Sequence, residues 1–533
     1  MSTRLTPLSR ILITLLILAA IFFGFRYLYN NTDLGDKIKS AADGDGVEKV
    51  DDKDGTSDDR TAAPTGTTKV DDDEPLIVQV FTWGGYAPGI YFNEGFKPSK
   101  NSRYYRDYGL NVEFKLIDDF DASRSAWIGN SVHLLGNEVS AMATEMEKLG
   151  KHDPKILMQV DWSRGGDAII GRRGIKSIND LKGKSVAVTP YTPSQTFLIF
   201  ALEAAGLSQK DVKIVDVPSA IDAATAFKSG RVDAAVVWSP DDVLATRDVP
   251  GSSILQSTRE ASHIIADVFM VKQSYADEHP EKLAKFYEGW MRGAAELNAN
   301  KANMQKAAKI LADGTGLPVE DALGMMQNVR LTTHGDNKNF FGMNADYKGV
   351  TGESLYSKMG AAFEKIGYAP KNRPSWRNMS YAPAISAAKL TGKEHFAEGQ
   401  KDFTPAKPAD KVKSAISSKP VSISFQTGSS TVSENAKTII DLQFADVAKA
   451  YGNARIRVEG NTDYTGSRET NLRLSKERAQ AVASYLQNQY NIDKDRFIIV
   501  GNGPDKPVAG CETDKSPACL AKNRRTEFQL IAD

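Results

Sequence analysis

The apolar and polar positions of this chain change period several times, and each change marks a different kind of segment. Residues 11–25, ILITLLILAAIFFGF, carry no charge, with Arg4 and Arg10 before them and Arg26, Tyr27 and Tyr29 after. The run is short for a membrane span, but interfacial tyrosines and a snorkelling Arg26 lengthen it. A secretory signal peptide is the alternative; no small-x-small cleavage site follows, so an uncleaved anchor over 1–29 is expected. Positive charge on its amino-terminal side places that end in the cytoplasm and the rest outside. Residues 30–75 lose apolar periodicity altogether. DDKDGTSDD and DDDE among Gly, Ser and Thr cannot bury a core, so this is an acidic flexible linker. Its root-mean-square span is roughly 35–40 Å, lengthened by charge repulsion.

Between 76 and 395 short apolar runs alternate with helical patterns. LIVQVFTW, NVEFKLI, KSVAVTP, KIVDVP and VDAAVVW read as strands; SQTFLIFALEAAG and AIDAATAFKSG read as helices. That alternation predicts a mainly parallel sheet, with ligands bound at the carboxyl ends of its strands. A second linker, rich in Pro, Lys and Ser, is expected over 396–420. Beyond it ARIRVEG alternates, with Ile456 and Val458 on one face and Arg455, Arg457 and Glu459 on the other, as in a half-buried strand. Leu474, Val482 and Leu486 then recur at helical spacing. Arg478 lies one turn from Leu474 and from Val482, so it shares their apolar stripe. A cation there must snorkel or meet an anion: Asp463 in the preceding turn, or a carboxylate brought by a ligand.

Composition adds limits. The chain has 533 residues, 41% apolar and 25% charged, which fits several soluble domains. Its net charge is zero, so no nucleic-acid footprint is present at this level. Cys511 and Cys519 are the only cysteines; close together in a Pro/Gly-rich loop of an exported chain, they are expected to form a disulfide. Two thiols without neighbouring histidines are too few for a metal. His133, His152, His263, His279, His334 and His395 are scattered, and no metalloprotease, phosphate-loop or nucleophile-elbow pattern appears. No enzymatic activity and no cofactor are expected.

The unusual residues gather at predicted strand ends. Trp83 and Tyr86 follow the first strand; Asp161, Ser163 and Asp167 surround Gly165 and Gly166; Thr189, Tyr191, Thr192, Ser194 and Thr196 open a helix; Trp238 ends VDAAVVW.

Two stretches resemble known families. VSISFQTGSSTVSENA, VEGNTDYTGSRETNLRLSKERA and NRRTEFQL, in that order, resemble the OmpA-like peptidoglycan-binding domain over 421–533. The resemblance implies an α+β domain in which Asp463 takes the ammonium and Arg478 the carboxylate of diaminopimelate in the wall peptide. Such a zwitterion needs one fixed charge of each sign. Thr462 and Asn471 fall in the same motif and would add hydrogen bonds. Asn461 departs from the family, which usually has His there. SINDLKGKSVAVTPYTPSQTFLIFALEAAGLSQKDVKIVDVP and AATAFKSGRVDAAVVWSPDD resemble periplasmic solute-binding proteins of ABC transporters, the nitrate/sulfonate/taurine and thiamine-precursor type. That implies two α/β lobes (a type II binding-protein fold over 76–395) closing on a small solute, one lobe running from about 175 to 261. Trp83, Tyr86, Thr192, Ser194, Gln195 and Trp238 would line the cleft, with Asp167 an acid for a ligand amine.

The expected protein is therefore a single-pass inner-membrane protein of a Gram-negative bacterium, its bulk in the periplasm. Its partners would be membrane lipid, peptidoglycan and an unidentified small solute. The alternative is a structural tether whose middle domain docks a protein, such as a membrane complex. Nucleic acid is not an expected partner.

Overall fold

The chain lays down β1 (Asp72–Val80), β2 (Leu110–Leu116), β3 (Leu134–Glu138) and β4 (Pro154–Ser163) before it crosses into a second sheet. There it forms β5 (Asp167–Gly171), β6 (Ser185–Val188), β7 (Lys213–Asp216), β8 (Ala234–Trp238) and β9 (Ser253–Ser257). It then returns with β10 (Ala266–Lys272) and β11 (Val329–Leu331). The computed structural model describes residues 72–423, 425–426 and 428–533. The expected anchor and the acidic linker up to residue 71 lie outside the described residues. Among those described, no helix is long and apolar enough to cross a membrane. Residues 72–75, assigned to the linker from their acidity, already belong to β1.

The first sheet has the order β11-β4-β10-β3-β1-β2 and the second β7-β6-β8-β5-β9. In the first, β1, β2 and β3 run parallel, while β10 runs antiparallel to both β3 and β4. Both faces of β3 and β4 are buried, polar Asn137, Glu138, Gln159 and Asp161 included. The long helix Pro280–Ala299 closes one face through fully buried Phe286 and Trp290. The expected two-lobed α/β architecture is present. The second lobe starts earlier than expected, because β5 pairs with β8 and β9 rather than with β4. Residues 164–166 and 258–265 carry the chain between the two sheets and form the hinge.

The carboxyl-terminal module is a sheet of order β12-β15-β13-β14, made of β12 (Ser417–Val421), β13 (Arg455–Asn461), β14 (Phe497–Gly503) and β15 (Thr526–Ile531). The helix Arg468–Tyr490 lies over it. Close packing needs Gly460: a Cβ there would come within 2.1 Å of the Ser475 carbonyl oxygen.

Two expectations need correction here. All of β13 is buried, not one face of it. The covering layer is the 396–420 segment, which is not a free spacer. Arg455 donates to the Thr404 carbonyl at 2.9 Å, and Arg457 to those of Lys411 and Lys413 at 3.0 and 2.8 Å. The last residues of that segment, from Ser417, form β12. Side chains that a solvent-facing reading would leave wet are thus capped by backbone carbonyls, as buried guanidiniums must be.

The same segment joins the module to the lobes. Glu398 pairs with Arg164 of the hinge at 2.7 Å. The Ala450 carbonyl accepts from the His263 N–H at 3.0 Å, and Asn453 donates to the Arg259 carbonyl at 3.0 Å. On the second lobe, Asn179 exchanges two hydrogen bonds with the Ser418 backbone at 2.8 and 2.9 Å.

Candidate functional site

Asp463 follows β13 in the turn that leads to the long helix, and Arg478 projects from that helix within its buried stripe. They do not pair with each other. The Asp463 carboxylate accepts from the Thr465 N–H at 2.9 Å and from Arg524 at 2.5 Å. The helix is capped by Ser467, not by Asp463. Burial pushes the Asp463 carboxyl up, but the bonds from Thr465 and Arg524 outweigh it and hold the group below the usual carboxylate range.

Arg478 donates Nε to the Ser429 carbonyl at 3.0 Å and Nη2 to the Gln426 carbonyl at 3.3 Å, and it lies over the Phe425 ring at 4.9 Å. Burial and the neighbouring Arg524 lower its pKa, while Asp463 raises it. Arg478 and Arg524 line one pocket of about 400 Å³ with Phe425, Asn461 and Lys522. Arg525 lines it too, and Asp463, held by Arg524, is not part of the lining, so the pocket carries surplus positive charge, suited to a carboxylate ligand. Asn471 braces the turn through the carbonyls of Asp463 and Thr465, at 3.4 and 3.0 Å. The Thr462 hydroxyl is buried without a partner.

Arg524 was missed as a site residue, although the run Asn523–Arg525 had drawn attention. It ends the helix Pro517–Asn523, which starts within the loop that the Cys511–Cys519 disulfide closes and runs beyond it. Asn523 ties this loop down, accepting from the Val508 N–H at 2.8 Å and donating to the Cys511 carbonyl at 3.2 Å.

The second group of predicted residues meets at the hinge side of the lobes. Trp83 donates Nε1 to Asp161 at 2.8 Å, and its ring fills the space over Gly166, where a Cβ would lie 2.2 Å from it. Asp167 accepts from Ser163 at 2.7 Å and stands opposite Trp238 across the β5–β8 ladder. Asp161 heads a row that the sequence did not reveal: Asp267 on β10 faces Asp161 on β4 and Glu138 on β3. Burial pushes Asp161 up to about 7, Glu138 up to about 7 and Asp167 up to about 6. Burial, then Asp161 and Glu138, raise Asp267 well above its usual range. Among the described residues no group of His, Cys, Asp and Glu side chains is arranged to hold a metal ion.

The remaining predicted residues divide. Tyr86 is buried in the first lobe, its ring 5.7 Å from that of Phe269. Gln195 is occupied within the second lobe, accepting from the Tyr191 N–H at 2.8 Å and donating to Gln209 at 3.2 Å. Thr192 starts the helix Pro193–Ala204 and donates to the Thr189 carbonyl at 2.8 Å. The Ser194 hydroxyl is buried with no partner.

Residues 424–518 match the OmpA family, and residues 155–303 match the family described as NMT1/THI5 like. The outer membrane protein Omp38 of Acinetobacter baumannii is 40% identical over 101 residues, covering 19% of this chain and 27% of that protein. The peptidoglycan-associated lipoprotein of Rhizobium meliloti is 36% identical over 103 residues, covering 19% of this chain and 56% of that protein. The chain thus spans less than two thirds of the length of either relative. Among solved structures, the periplasmic aliphatic sulphonate binding protein SsuA of Escherichia coli covers 63% of this chain and 98% of its own, at 18% identity and a TM-score of 0.46. The periplasmic nitrate-binding protein NrtA of Synechocystis PCC 6803 covers 60% of this chain and 91% of its own, at 14% identity and a TM-score of 0.45.

Proposed function

We propose that this chain, an OmpA-family domain carried behind an NMT1/THI5-like solute-binding domain, is a cell-envelope protein that grips peptidoglycan through Asp463, Arg478 and Arg524. The observation that carries the reading is that Arg478 and Arg524 line one pocket while Arg524 also holds Asp463. A diaminopimelate end offers a carboxylate to Arg478 and Arg524 and an ammonium to Asp463. Each contact is charge-assisted and contributes on the order of 1.5–3 kcal/mol. The intact chain should co-sediment with purified peptidoglycan, and a soluble diaminopimelate-containing tripeptide should release it. Sedimentation that the tripeptide leaves unchanged would remove the assignment.

The two-lobed domain is read as a carrier of a small amine-bearing solute. Trp83 supplies an aromatic face, and Asp161 and Asp167 supply acids that lie without a salt bridge among the described residues. A small amine should therefore raise the melting temperature by mass action where a sulfonate or nitrate does not; the reverse preference would refute the amine reading. Residues 11–25 are read as the inner-membrane anchor, because Arg4 and Arg10 precede them. A mature chain that begins beyond residue 25 would show a cleaved signal instead.

A further inference from the structure

Beside the hinge, a cavity of about 660 Å³, partly open to solvent, lies between the first lobe, the 398–403 segment and the carboxyl-terminal module. It is distinct from both sites described above. Gln159 and Trp162 of β4 form one wall, and Gly452, Asn453 and Arg496 of the module face them. The volume is that of a small-molecule site.

Most of the buried charges around it are already spent. Arg164 is held by Glu398 at 2.7 Å and by the Ser262 carbonyl at 3.0 Å. Arg496 donates to the carbonyls of Ala448, Tyr451 and Ala454, and Lys401 pairs with Asp533 at 2.7 Å. Asp336 accepts from Thr333 and pairs with Arg330 at 3.1 Å. Burial and the adjacent Arg164 push the His263 imidazole down to about 3, so it stays neutral. Lys449 lies over the Tyr490 ring, and Lys348 and Asp346 are exposed to water. A charged ligand would have to break one of these pairs or settle on Lys449, Lys348 or Asp346, which are in no ion pair among the described residues.

What the cavity offers instead is rings and amides. Trp162, Phe340, Tyr347, Phe403 and Tyr490 line it, with Asn and Gln side chains between them. Gln159 is fully buried; its Nε2 donates to the Asp161 carbonyl at 3.1 Å, and its Oε1 has no partner. A buried acceptor without a donor is costly and marks a place for a ligand N–H or O–H. Aromatic faces next to amide groups suit an uncharged ring that is apolar on its faces and polar at its edge.

We propose that this cavity binds an N-acetylated pyranose, the sugar unit of the wall glycan, through Gln159 Oε1 and the aromatic walls. The acetamido N–H supplies the missing donor, and the ring faces stack on the aromatics. The glycan as source rests on the peptidoglycan reading above, since the wall module itself forms one side of the cavity. Because both domains wall the cavity, it exists only while they are docked.

The experiment uses the full chain, with N,N′-diacetylchitobiose followed by calorimetry and by tryptophan fluorescence. Binding is expected, with cellobiose, which lacks the acetamido group, much weaker. Gln159→Leu and Tyr347→Ala should each weaken chitobiose about tenfold, the loss of one satisfied hydrogen bond or one stacking face. Peptide-free glycan strands should compete. Asp463→Asn should leave chitobiose binding intact, so a failure of the wall-peptide reading shows separately, in sedimentation. Thermal unfolding checks that each variant folds; Tyr347→Ala, at a half-buried loop position, carries the test if Gln159→Leu does not fold. No binding of chitobiose, equal binding of cellobiose, or binding that a folded Tyr347→Ala leaves unchanged would overturn the proposal. Strands that fail to compete would overturn the wall as source.

Discussion

On the hinge side of the lobes, Glu138, Asp161, Asp167 and Asp267 gather with no ion pair to any of them among the described residues. In the carboxyl-terminal pocket the guanidiniums of Arg478, Arg524 and Arg525 gather, and Arg524 holds the one carboxylate beside it, Asp463. Both clusters sit at the ends of β-strands, and both place like charges in partly dry surroundings, yet they resolve the conflict in opposite ways. A carboxyl can take up a proton, and burial pushes Asp161 and Glu138 to about 7 and Asp167 to about 6. A guanidinium keeps its charge through the physiological range, so Arg478 is stabilised by the carbonyls of Ser429 and Gln426 and by the Phe425 ring. The acid cluster therefore has a charge that depends on pH. The arginine pocket has a charge that does not, which suits a grip on a permanent feature of the envelope.

The largest effect expected from breaking this contrast is on wall binding. Arg478→Lys keeps the charge but loses the planar fork, and Asp463→Asn keeps the size but loses the charge. Each should weaken co-sedimentation with peptidoglycan roughly tenfold or more, since about 1.4 kcal/mol is one decade. Arg524→Gln should do the same, although no sequence spacing singled it out. Between pH 5 and 8 binding by the unaltered chain should be nearly flat, because Asp463 is held below the usual carboxylate range. Full sedimentation of all three variants would reduce the pocket to a surface ion pair beside a buried arginine.

Which parts of this contrast were legible in the sequence follows from how far apart in the chain the partners lie. Asp463 and Arg478 belong to one turn and the helix after it, so local pattern located both. The Cys511–Cys519 pair closes a short loop and was equally visible. The alternation of strands and helices announced α/β layers for the same reason, while the division into two lobes was implied by the resemblance to solute-binding proteins. The acid row was hidden because β10 inserts between β3 and β4 only after the whole second lobe has been built. Nothing near Glu138 hints that Asp267 will stand opposite it. The covering of β13 was hidden too. Arg455 and Arg457 look solvent-facing until residues 404–413 fold back and present carbonyls to them. Asp463 was one of two anions expected for Arg478, whereas the fold supplies Arg524 to it from a returning loop.

The next effect in size concerns the acid cluster and its pH dependence. A carboxyl whose folded pKa is raised binds its proton more tightly when folded. Its contribution to stability is therefore full below about pH 4 and is lost as the pH climbs toward about 7. Asp161, Glu138 and Asp167 all shift in that direction, so the unliganded chain should lose stability between pH 4 and 8. The loss is on the order of a few kcal/mol for each carboxyl, given 1.36 kcal/mol for each pKa unit. Asp161→Asn removes one titrating group and relieves Asp267 of a neighbouring charge. Its melting temperature should fall less between pH 5 and pH 8 than that of the unaltered chain. Parallel melting curves for the two proteins across that range would mean that the acids do not titrate there.

The smallest effect, and the sharpest discriminator, is at Trp83. Trp83→Phe keeps a ring against Gly166 but deletes the 2.8 Å bond from Nε1 to Asp161. When Asp161 is protonated, the loss is that of an ordinary hydrogen bond, about 1 kcal/mol. When it is ionised, a buried carboxylate loses its donor, and the loss rises to about 1.5–3 kcal/mol, because hydrogen bonds to charged groups are stronger. The destabilisation should therefore grow from pH 5 to pH 8. Arg524→Gln, in the other pocket, should cost a similar amount of stability at both pH values, since neither Arg524 nor Asp463 changes charge between them. Chemical denaturation of both variants at pH 5 and 8 tests the comparison directly. A Trp83→Phe penalty that stays constant, matching the Arg524→Gln pattern, would show that Asp161 carries a fixed charge. The two clusters would then differ in sign alone.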